Sequence, residues 1–398
     1  MQLSFLGPLF DRPGPWATVY LDPGRPDEAG AKRRELSVRE VRRSLEEQGA
    51  DAATADAVEK VLTRTAAAEY PSGRVVFATG GEVVLSRRLS RPPQGQIASW
   101  APLPHLTPLL ELAGQDPDCL VAYIDRTGAD FELRGAAGPQ DAGGVEGRQR
   151  PVHRTGSADW SERHFQLKVE NTWEHNAGEI AEALTREYEK SGAELVVLVG
   201  DPRERPSVHA KLPDAVREVT VETEHGGRAA GSDSAALEEA IERARRRHAD
   251  RRVEEALDRF RAGRVGTDRP TDAVEGVPAV VEAAREHRMD TLLVKPDGPD
   301  LAREVWVGPG PDQIAVRRND AHALGGSDPV AVRADDALLR SAAVTGADVR
   351  IIPLPDESAQ SALDRSDGSD GSGGSARDEA GAADIPAGGL GALLRWTY

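Results

Sequence analysis

Residues 150–188 read RPVHRTGSADWSERHFQLKVENTWEHNAGEIAEALTREY, in which a polar stretch is followed by a strongly periodic one. The polar part, 154–160, has a Gly-Ser pair and no apolar periodicity, which indicates an exposed loop. From Ser161, a good N-cap residue, apolar side chains recur every three or four positions, as on one face of a helix. The pattern predicts an exposed loop at 150–160 that a long helix, 161–189, holds away from the body. The apolar positions are Phe165, Val169, Trp173, Ala177, Ile180, Leu184 and Tyr188.

The size of the chain and its single cysteine limit the possible classes of protein. A chain of 398 residues is too long for one compact core, and about two or three domains are expected. Cys119 excludes an internal disulfide framework, and its apolar surroundings, DCLVAYID, indicate a buried, unreactive thiol. The N-terminus lacks a signal-peptide pattern, and no run approaches the roughly 20 apolar residues of a membrane span. We therefore expect a cytoplasmic protein.

The net charge of −17 argues against nucleic acid as a partner of the whole surface, because phosphate contacts dominate that affinity. The basic residues are nevertheless clustered in two helical runs. A solvated helix face is the usual interpretation of such runs, and local binding of a polyanion is the alternative. The runs are Lys32, Arg33, Arg34, Arg39, Arg42 and Arg43, and Arg243, Arg245, Arg246, Arg247, Arg251 and Arg252.

The order of the remaining patterns predicts three α/β domains, at 1–117, 118–233 and 234–398. The first has a strand at 16–21, helices near 36–48 and 54–68 with Leu36, Val41 and Leu45 inward, and a hairpin closed by Gly80-Gly81. The second opens with a hairpin closed by Arg126-Thr127-Gly128, continues through a glycine-rich connector at 135–147 to the long helix, and then has strands in ELVVLVGD and VREVTVET. The third has a charged helix over 235–262, helices and strands in alternation, a helix stop at Gly346, a disordered insert at 356–388 and a final strand in GLGALLRWTY.

Motifs for nucleotide or metal chemistry are missing from the sequence. It has no GxxxxGK[ST], no GxGxxG after a strand and no HExxH, so we expect no cofactor and no metal. His153 and His164 flank the predicted loop, as general bases, as phosphate contacts or as ordinary exposed histidines. Trp160, at the loop tip, either stacks on a base or folds back onto the helix, and both interpretations stay open.

Several of these stretches resemble one known family. DCLVAYIDRTGADFELRG is similar to the hairpin that opens the middle domain in the bacterial branch of the archaeo-eukaryotic peptide-chain release factor and Pelota family. RTGSADWSERHFQLKVENTWEHNAGEIAEAL is similar to the family's tRNA-acceptor-mimicking loop and helix. RPTDAVEGVPAVVEAAREHRMDTLLV with TGADVRIIP resembles its C-terminal domain, which is like kink-turn-RNA-binding ribosomal proteins. NTWEHNA is typical of an actinobacterial, Balon-like subgroup of ribosome hibernation factors. The resemblance implies three mixed α/β domains in a tRNA-mimicking arrangement, acting as a monomer.

The sequence departs from this family at the motifs that carry release activity. The Gly-Gly-Gln tripeptide is replaced within Gly156–Trp160, which has no glutamine, and the nearest one, Gln166, lies on the predicted helix. The loop that matches the codon-reading Asn-Ile-Lys-Ser shares only Lys32. We therefore expect neither stop-codon reading nor hydrolysis by the release-factor route.

The resemblance implies a factor that binds the ribosomal A site, in hibernation or stress protection, without catalysis. One alternative is a peptidyl-tRNA hydrolase in ribosome rescue, with Gln166 or His164 placing the water. Another is a module that docks a translational GTPase of the elongation-factor type. The residues expected to contact ribosomal RNA are Lys32, Arg33, Arg34 and Arg39 at the decoding end, and His153, Arg154, Gly156, Ser157, Trp160, Arg163, His164 and Lys168 at the acceptor end.

Overall fold

The computed structural model describes residues 3–22, 28–64, 73–89, 92–93, 95–114, 117–135, 138–147, 160–228, 235–264, 271–325, 328–353 and 386–396. The chain divides into two compact units. Unit 1 consists of Met1–Gly114 with Arg251–Tyr398, and unit 2 of Gln115–Asp250. The first and third predicted domains thus fall within one unit, and the three-domain, tRNA-like arrangement stays a prediction.

The N-terminal part of unit 1 is an antiparallel sheet with two helices against it. The strand order is β3-β2-β1-β4, and Gly80-Gly81 closes the predicted β2–β3 hairpin with positive φ at both residues. The proline-rich stretch that follows β3 contains β4 and α4. The elements are α1 (Gly7–Phe10), β1 (Trp16–Leu21), α2 (Glu28–Glu47), α3 (Ala52–Arg64), β2 (Arg74–Thr79), β3 (Glu82–Arg88), β4 (Ile97–Ala101) and α4 (Thr107–Gly114).

Helix α2 begins eight residues before its predicted start, and one of its three side chains predicted to face the sheet points away from it. Val38, Val41 and Leu45 are buried in the core between α2, α3 and the sheet. Leu36, predicted to point inward, is 55% exposed. Because successive helical residues are about 100° apart, Leu36 lies about 200° from Val38 and faces away from the core. The prediction for Leu36 was wrong, and those for Val41 and Leu45 are confirmed.

The C-terminal part of unit 1 contains a mixed four-stranded sheet, β10-β16-β11-β15, and a three-stranded one, β13-β12-β14. The final strand, β16, lies inside the first sheet, as predicted. Gly346 ends α11 in the left-handed conformation, with φ of 68°. The predicted insert lies outside the described residues as far as 385, and Ala387–Gly389 form a 3₁₀ turn. The elements are β10 (Ala273–Glu275), α9 (Val277–Arg285), β11 (Met289–Val294), β12 (Glu304–Val307), β13 (Ile314–Ala315), α10 (Arg318–Ala323), β14 (Val330–Arg333), α11 (Ala334–Thr345), β15 (Asp348–Ile351) and β16 (Leu390–Leu394).

Unit 2 is built on a five-stranded sheet with the order β7-β6-β5-β8-β9. The β5–β6 hairpin and the strands β8 and β9 match their predictions. The glycine-rich connector does not, because most of it forms the edge strand β7, paired with β6 from Gly135↔Gly138 to Gly128↔Glu146. The elements are β5 (Cys119–Asp125), β6 (Gly128–Gly135), β7 (Gly138–Glu146), α5 (Trp160–Ser191), β8 (Leu195–Val199), α6 (Arg205–His209), α7 (Asp214–Arg217), β9 (Thr220–Thr223) and α8 (Ala235–Arg264).

Helices cover both faces of the unit 2 sheet. On one face α5 buries Ala177, Ile180 and Leu184 against β5, β6 and β8, with α6 and α7 beside it. On the other face, Leu237 and Ile241 of α8 pack against β5 and β8. Cys119 lies in this second core, fully buried, and burial raises the pKa of its thiol to about 12. Among the described residues, no helix is both long and apolar enough to cross a membrane.

Candidate functional site

Four strands of unit 2 end at the same edge of its sheet. β5, β8 and β9 are parallel, and β7 runs in the same direction because both β5 and β7 are antiparallel to β6. The carboxyl edge of the sheet is therefore formed by the strand ends Asp125, Glu146, Val199 and Thr223. The chain from β7 towards the predicted acceptor loop leaves from this edge.

Helix α5 extends far beyond that edge. Its C-terminus lies at the opposite edge, where the backbone N–H of Glu194 donates to the carbonyl of Asp118 (2.9 Å). Asn176 lies level with the carboxyl edge, because its Nδ2 donates to the carbonyl of Arg126 (2.9 Å). The residues from Asn176 to Ser191 span about 22 Å, close to the length of β5. The helix begins at Trp160, about 24 Å before Asn176 along the axis.

The turn between β5 and β6 is tightly organised by Asp125. One carboxylate oxygen of Asp125 accepts from the backbone N–H of Thr127 (2.7 Å), its hydroxyl (2.7 Å) and the N–H of Gly128 (3.0 Å). Burial raises the pKa of Asp125, but the bonds from Thr127 and Arg228 outweigh burial and lower its pKa below the ordinary value. The turn is thus fixed by a carboxylate that is ionised at neutral pH.

Arg228 braces this turn from a segment that follows β9. Its guanidinium pairs with Asp125 (3.1 Å), Asp130 (2.8 Å) and Glu146 (3.1 Å), and its side chain is only 12% exposed. These carboxylates belong to β5, β6 and β7. A forked, permanently charged donor suits several acceptors at once, so one side chain connects three strands at the carboxyl edge.

Asn176 and Gly147 meet at the same turn. The N–H of Gly147 donates to the carbonyl of Thr127 (2.6 Å), while Asn176 bonds the carbonyl of the preceding residue. A Cβ on Gly147 would lie 2.6 Å from Cγ of Asn176, a distance that real Cβ atoms do not show. Only glycine at 147 allows this close approach. The chain therefore departs from the edge at Gly147 and returns to it at Asn176.

Most residues predicted at the acceptor end lie outside what the structure describes. His153, Arg154, Gly156 and Ser157 fall in 148–159. The structure places Trp160, Arg163, His164, Gln166 and Lys168 on the extended half of α5, and their side chains are outside the described set. Their roles stay predictions.

The basic run of α2 lies on the surface of unit 1, and several of its arginines form ion pairs. Arg39 pairs with Glu35 (2.5 Å), and Arg42 pairs with Glu46, Asp56 and Glu59. Lys32 and Arg33 are exposed and Arg34 is half-buried. Exposed Leu36 lies three and four positions beyond Arg33 and Lys32, so it borders them on the helix surface. The contact of Lys32, Arg33, Arg34 and Arg39 with RNA stays a prediction.

A second polar cluster, which we name the seam, connects the N-terminal and C-terminal segments of unit 1. The two segments share one hydrophobic core, and the seam is buried in it. Asp335 accepts two bonds from Arg333 (2.9 Å each) and one from Thr107 (2.8 Å). Asp336 contacts Nδ1 of His105 at 3.0 Å. His105, Asp335 and Asp336 offer three ligand atoms within 4.8 Å, a spacing open to a metal ion, although hydrogen-bond partners of the chain already engage those atoms.

Burial and charge act in opposite directions on the seam. Burial disfavours the charged form of His105, but its hydrogen bond and charge interaction with Asp336 outweigh burial and raise its pKa. Burial, together with the negative charge of Asp335, raises the pKa of Asp336 to about 6, although the hydrogen bond from His105 acts to lower it. Both groups therefore hold protons more tightly in the folded chain than in the unfolded one.

The stability of unit 1 should fall as the pH rises from 5.5 to 8. A group whose pKa is raised by folding stabilises the fold below its unfolded pKa, and that contribution is lost as the pH passes its folded pKa. For His105 and Asp336 together we expect a loss of roughly 1 kcal/mol in the free energy of unfolding. Urea unfolding at several pH values measures it, and Asp336→Asn should flatten the slope. A stability that rises with pH in this window would contradict the assignment.

Comparison with known proteins places the chain among uncharacterized relatives. The family model described as "bacterial archaeo-eukaryotic release factor family 2" matches residues 118–265, which contain the whole carboxyl edge. The uncharacterized protein Rv2629 of Mycobacterium tuberculosis is 31% identical over 357 residues, covering 86% of this chain and 91% of that protein.

Two solved structures align over most of the chain at low identity. The Pelota protein of Archaeoglobus fulgidus is 14% identical and covers 81% of this chain and 80% of its own, with a TM-score of 0.30. Dom34 of S. cerevisiae is 11% identical and covers 82% and 79%, with a TM-score of 0.38. At these scores, neither likeness supports a conclusion about this chain.

Proposed function

This chain belongs to the bacterial archaeo-eukaryotic release factor family, and on that premise we propose that it occupies the ribosomal A site without releasing the peptide. Membership of the family supports a translation-related role in association with the ribosome. The finer proposal is a hibernation or stress factor, acting as a monomer in the cytoplasm. It contacts ribosomal RNA at two places, the exposed basic part of α2 and the acceptor end of α5.

The observation that carries the proposal is the extension of α5 beyond the carboxyl edge. A helix that begins about 24 Å before Asn176 can carry residues 148–159 into a narrow site while the sheet stays outside it. A helix that only covered its sheet would end near Asn176. Delivery of a loop to a deep site accounts for this extension.

Lys32, Arg33 and Arg34 supply the second contact. Lys32 and Arg33 are exposed near the start of α2, where they offer positive charge to phosphates. A local positive patch is sufficient for contact with phosphates on an acidic protein, because exposed charges are screened beyond about 8–10 Å at physiological salt. The net charge of −17 is therefore compatible with RNA contact at this patch.

Absence of catalysis follows from the composition of the acceptor loop. The family's Gly-Gly-Gln is replaced within Gly156–Trp160, and general acid–base chemistry requires a group within hydrogen-bond reach of the reacting water. The opposing proposal is a peptidyl-tRNA hydrolase in which Gln166 or His164 places that water. A third role, docking of an elongation-factor-type GTPase, is compatible with either.

Sedimentation with ribosomes separates these proposals. Purified protein is mixed with vacant ribosomes and with ribosomes that carry peptidyl-tRNA, at graded salt concentrations, and bound protein and released peptide are measured in the same tubes. We expect co-sedimentation that weakens with salt while the peptidyl-tRNA stays intact. Peptide release that is lost in Gln166→Ala or His164→Ala would establish the hydrolase instead. No binding at low salt would overturn the proposed function, and a purified elongation-factor GTPase in either nucleotide state tests the partner.

A further inference from the structure

We propose that Asn176 is a positioning residue that fixes the direction in which the extended half of α5 leaves the sheet. Its side chain binds the Arg126–Thr127 turn, which we call the seat. Asp125 and Arg228 hold this turn in place. That this direction leads the helix to a ribosomal target rests on the proposed function. That Asn176 fixes the direction does not.

The first reason is that Gly147, where the chain leaves the sheet, and Asn176, where it returns, are bound to the same turn. Gly147 bonds the carbonyl of Thr127, and Asn176 bonds the carbonyl of Arg126. Asn176 is 1% exposed, whereas its neighbours Glu174 and His175 are exposed. A buried amide requires a hydrogen-bond partner, and here the backbone of the turn supplies one.

The second reason is that a small change in the direction of the helix at Asn176 becomes a large displacement at its far end. In the part of α5 before Asn176, Trp173 is the only described side chain packed against the core of unit 2. Trp173 and Asn176 are thus two described points at which α5 is held against the body of unit 2. A tilt of about 15° at Asn176 would displace position 162, about 21 Å away along the axis, by about 5 Å. Loss of one side-chain bond at the edge would thus be amplified at the acceptor end.

The third reason is that the seat itself is braced. Arg228 connects Asp125, Asp130 and Glu146, so the turn cannot move without breaking ion pairs to three strands. Gly147 lies against the Asn176 amide, which leaves that side chain no room to shift towards β7. A side chain enclosed by a braced turn and a backbone contact has one position, as precise positioning requires.

The test measures direction and stability separately. Nitroxide labels are attached to Glu162→Cys on the extended half and Lys211→Cys on the body of unit 2, and their distance distribution is measured by pulsed electron paramagnetic resonance. Native Cys119 is fully buried with a raised thiol pKa, so it should not take the label. The variants are Asn176→Ala, Asn176→Asp and Gly147→Ala. His175→Ala is the matched control, because it is the adjacent residue and pairs only with Glu179 among the described residues.

We expect one narrow distance in the parent and in His175→Ala, and a distribution broadened or shifted by about 5 Å in the three variants. Gly147→Ala removes no hydrogen-bonding group and still displaces the Asn176 amide, so it tests the seat if Asn176→Ala folds poorly. Thermal unfolding of each variant shows whether the fold is retained. Unchanged distributions in folded Asn176→Ala and Gly147→Ala would overturn the proposal.

A photo-crosslinker at position 162 connects direction to function. The parent should give a discrete set of ribosomal RNA crosslinks. Asn176→Ala should still bind ribosomes, but its crosslinks should be spread over more positions of the RNA. If the parent does not bind ribosomes while the distance still broadens, the proposed function fails and the positioning role stands. If the parent binds and Asn176→Ala gives the same distance and the same crosslinks, the positioning role fails alone.

Discussion

Replacing Asp335 with alanine should lower the free energy of unfolding of unit 1 by about 1–3 kcal/mol, because the hydrogen-bond donors around this buried carboxylate then lose their acceptor. Asp335 is fully buried and receives bonds from Arg333 and Thr107. Its removal takes away the acceptor of the Arg333 guanidinium and of the Thr107 hydroxyl. It also removes a negative charge beside Asp336 and His105. Urea unfolding, read by near-ultraviolet circular dichroism, measures the loss.

Asp328→Ala is the matched control for this prediction. Asp328 also pairs with an arginine, Arg318 at 3.7 Å, but its side chain is 88% exposed. Exposed pairs contribute about 0–1 kcal/mol, so the control should be close to the parent. Equal losses in Asp335→Ala and Asp328→Ala would mean that the seam does not hold the two segments of unit 1 together.

The triple substitution Lys32→Ala, Arg33→Ala and Arg34→Ala should have the largest effect on ribosome binding. Each phosphate contact contributes about one unit to the slope of log affinity against log salt, so the slope should become shallower by about three. At about 0.1 M salt we expect binding at least about tenfold weaker. Ribosome sedimentation at four or more salt concentrations measures both quantities.

A second triple variant, Arg186→Ala, Lys190→Ala and Lys211→Ala, gives the same charge change at exposed positions of unit 2. It should leave the salt slope unchanged, because the proposal assigns no RNA contact to these side chains. Equal slopes in both variants would show that total charge, and not the start of α2, governs binding.

The sequence was sufficient to predict elements with strong local signals. The apolar period of α5 predicted its long helix, and Gly80-Gly81 and Gly346 marked a hairpin and a helix end that the structure confirms. The wrong predictions have local causes. Leu36 was assigned to the core with Val41, although five helical positions place the two residues about 140° apart. β7 was missed because its glycines weaken the strand pattern while pairing with β6 still holds it.

The candidate site could be predicted only in part, because its contacts join distant positions. Arg228 contacts carboxylates about 80 to 100 residues earlier, and His105 contacts Asp336 231 residues away. Asp335 and Asp336 resemble the acidic first turn of an ordinary solvated helix. Asn176 is part of NTWEHNA, but the sequence did not indicate that its amide is buried, because its hydrogen-bond partner, the carbonyl of Arg126, lies elsewhere in the chain. The family resemblance predicted where the acceptor end lies, and the structure shows the hydrogen bond from Asn176 to the turn after β5.

The most direct test of the A-site proposal is competition with tRNA. Ribosomes carrying peptidyl-tRNA in the P site are prepared with the A site empty or filled by a stably bound tRNA, and binding of this protein is measured to both. The proposal predicts binding to ribosomes with an empty A site, displacement by A-site tRNA, and peptidyl-tRNA that stays intact throughout. Equal binding to both kinds of ribosome would contradict it.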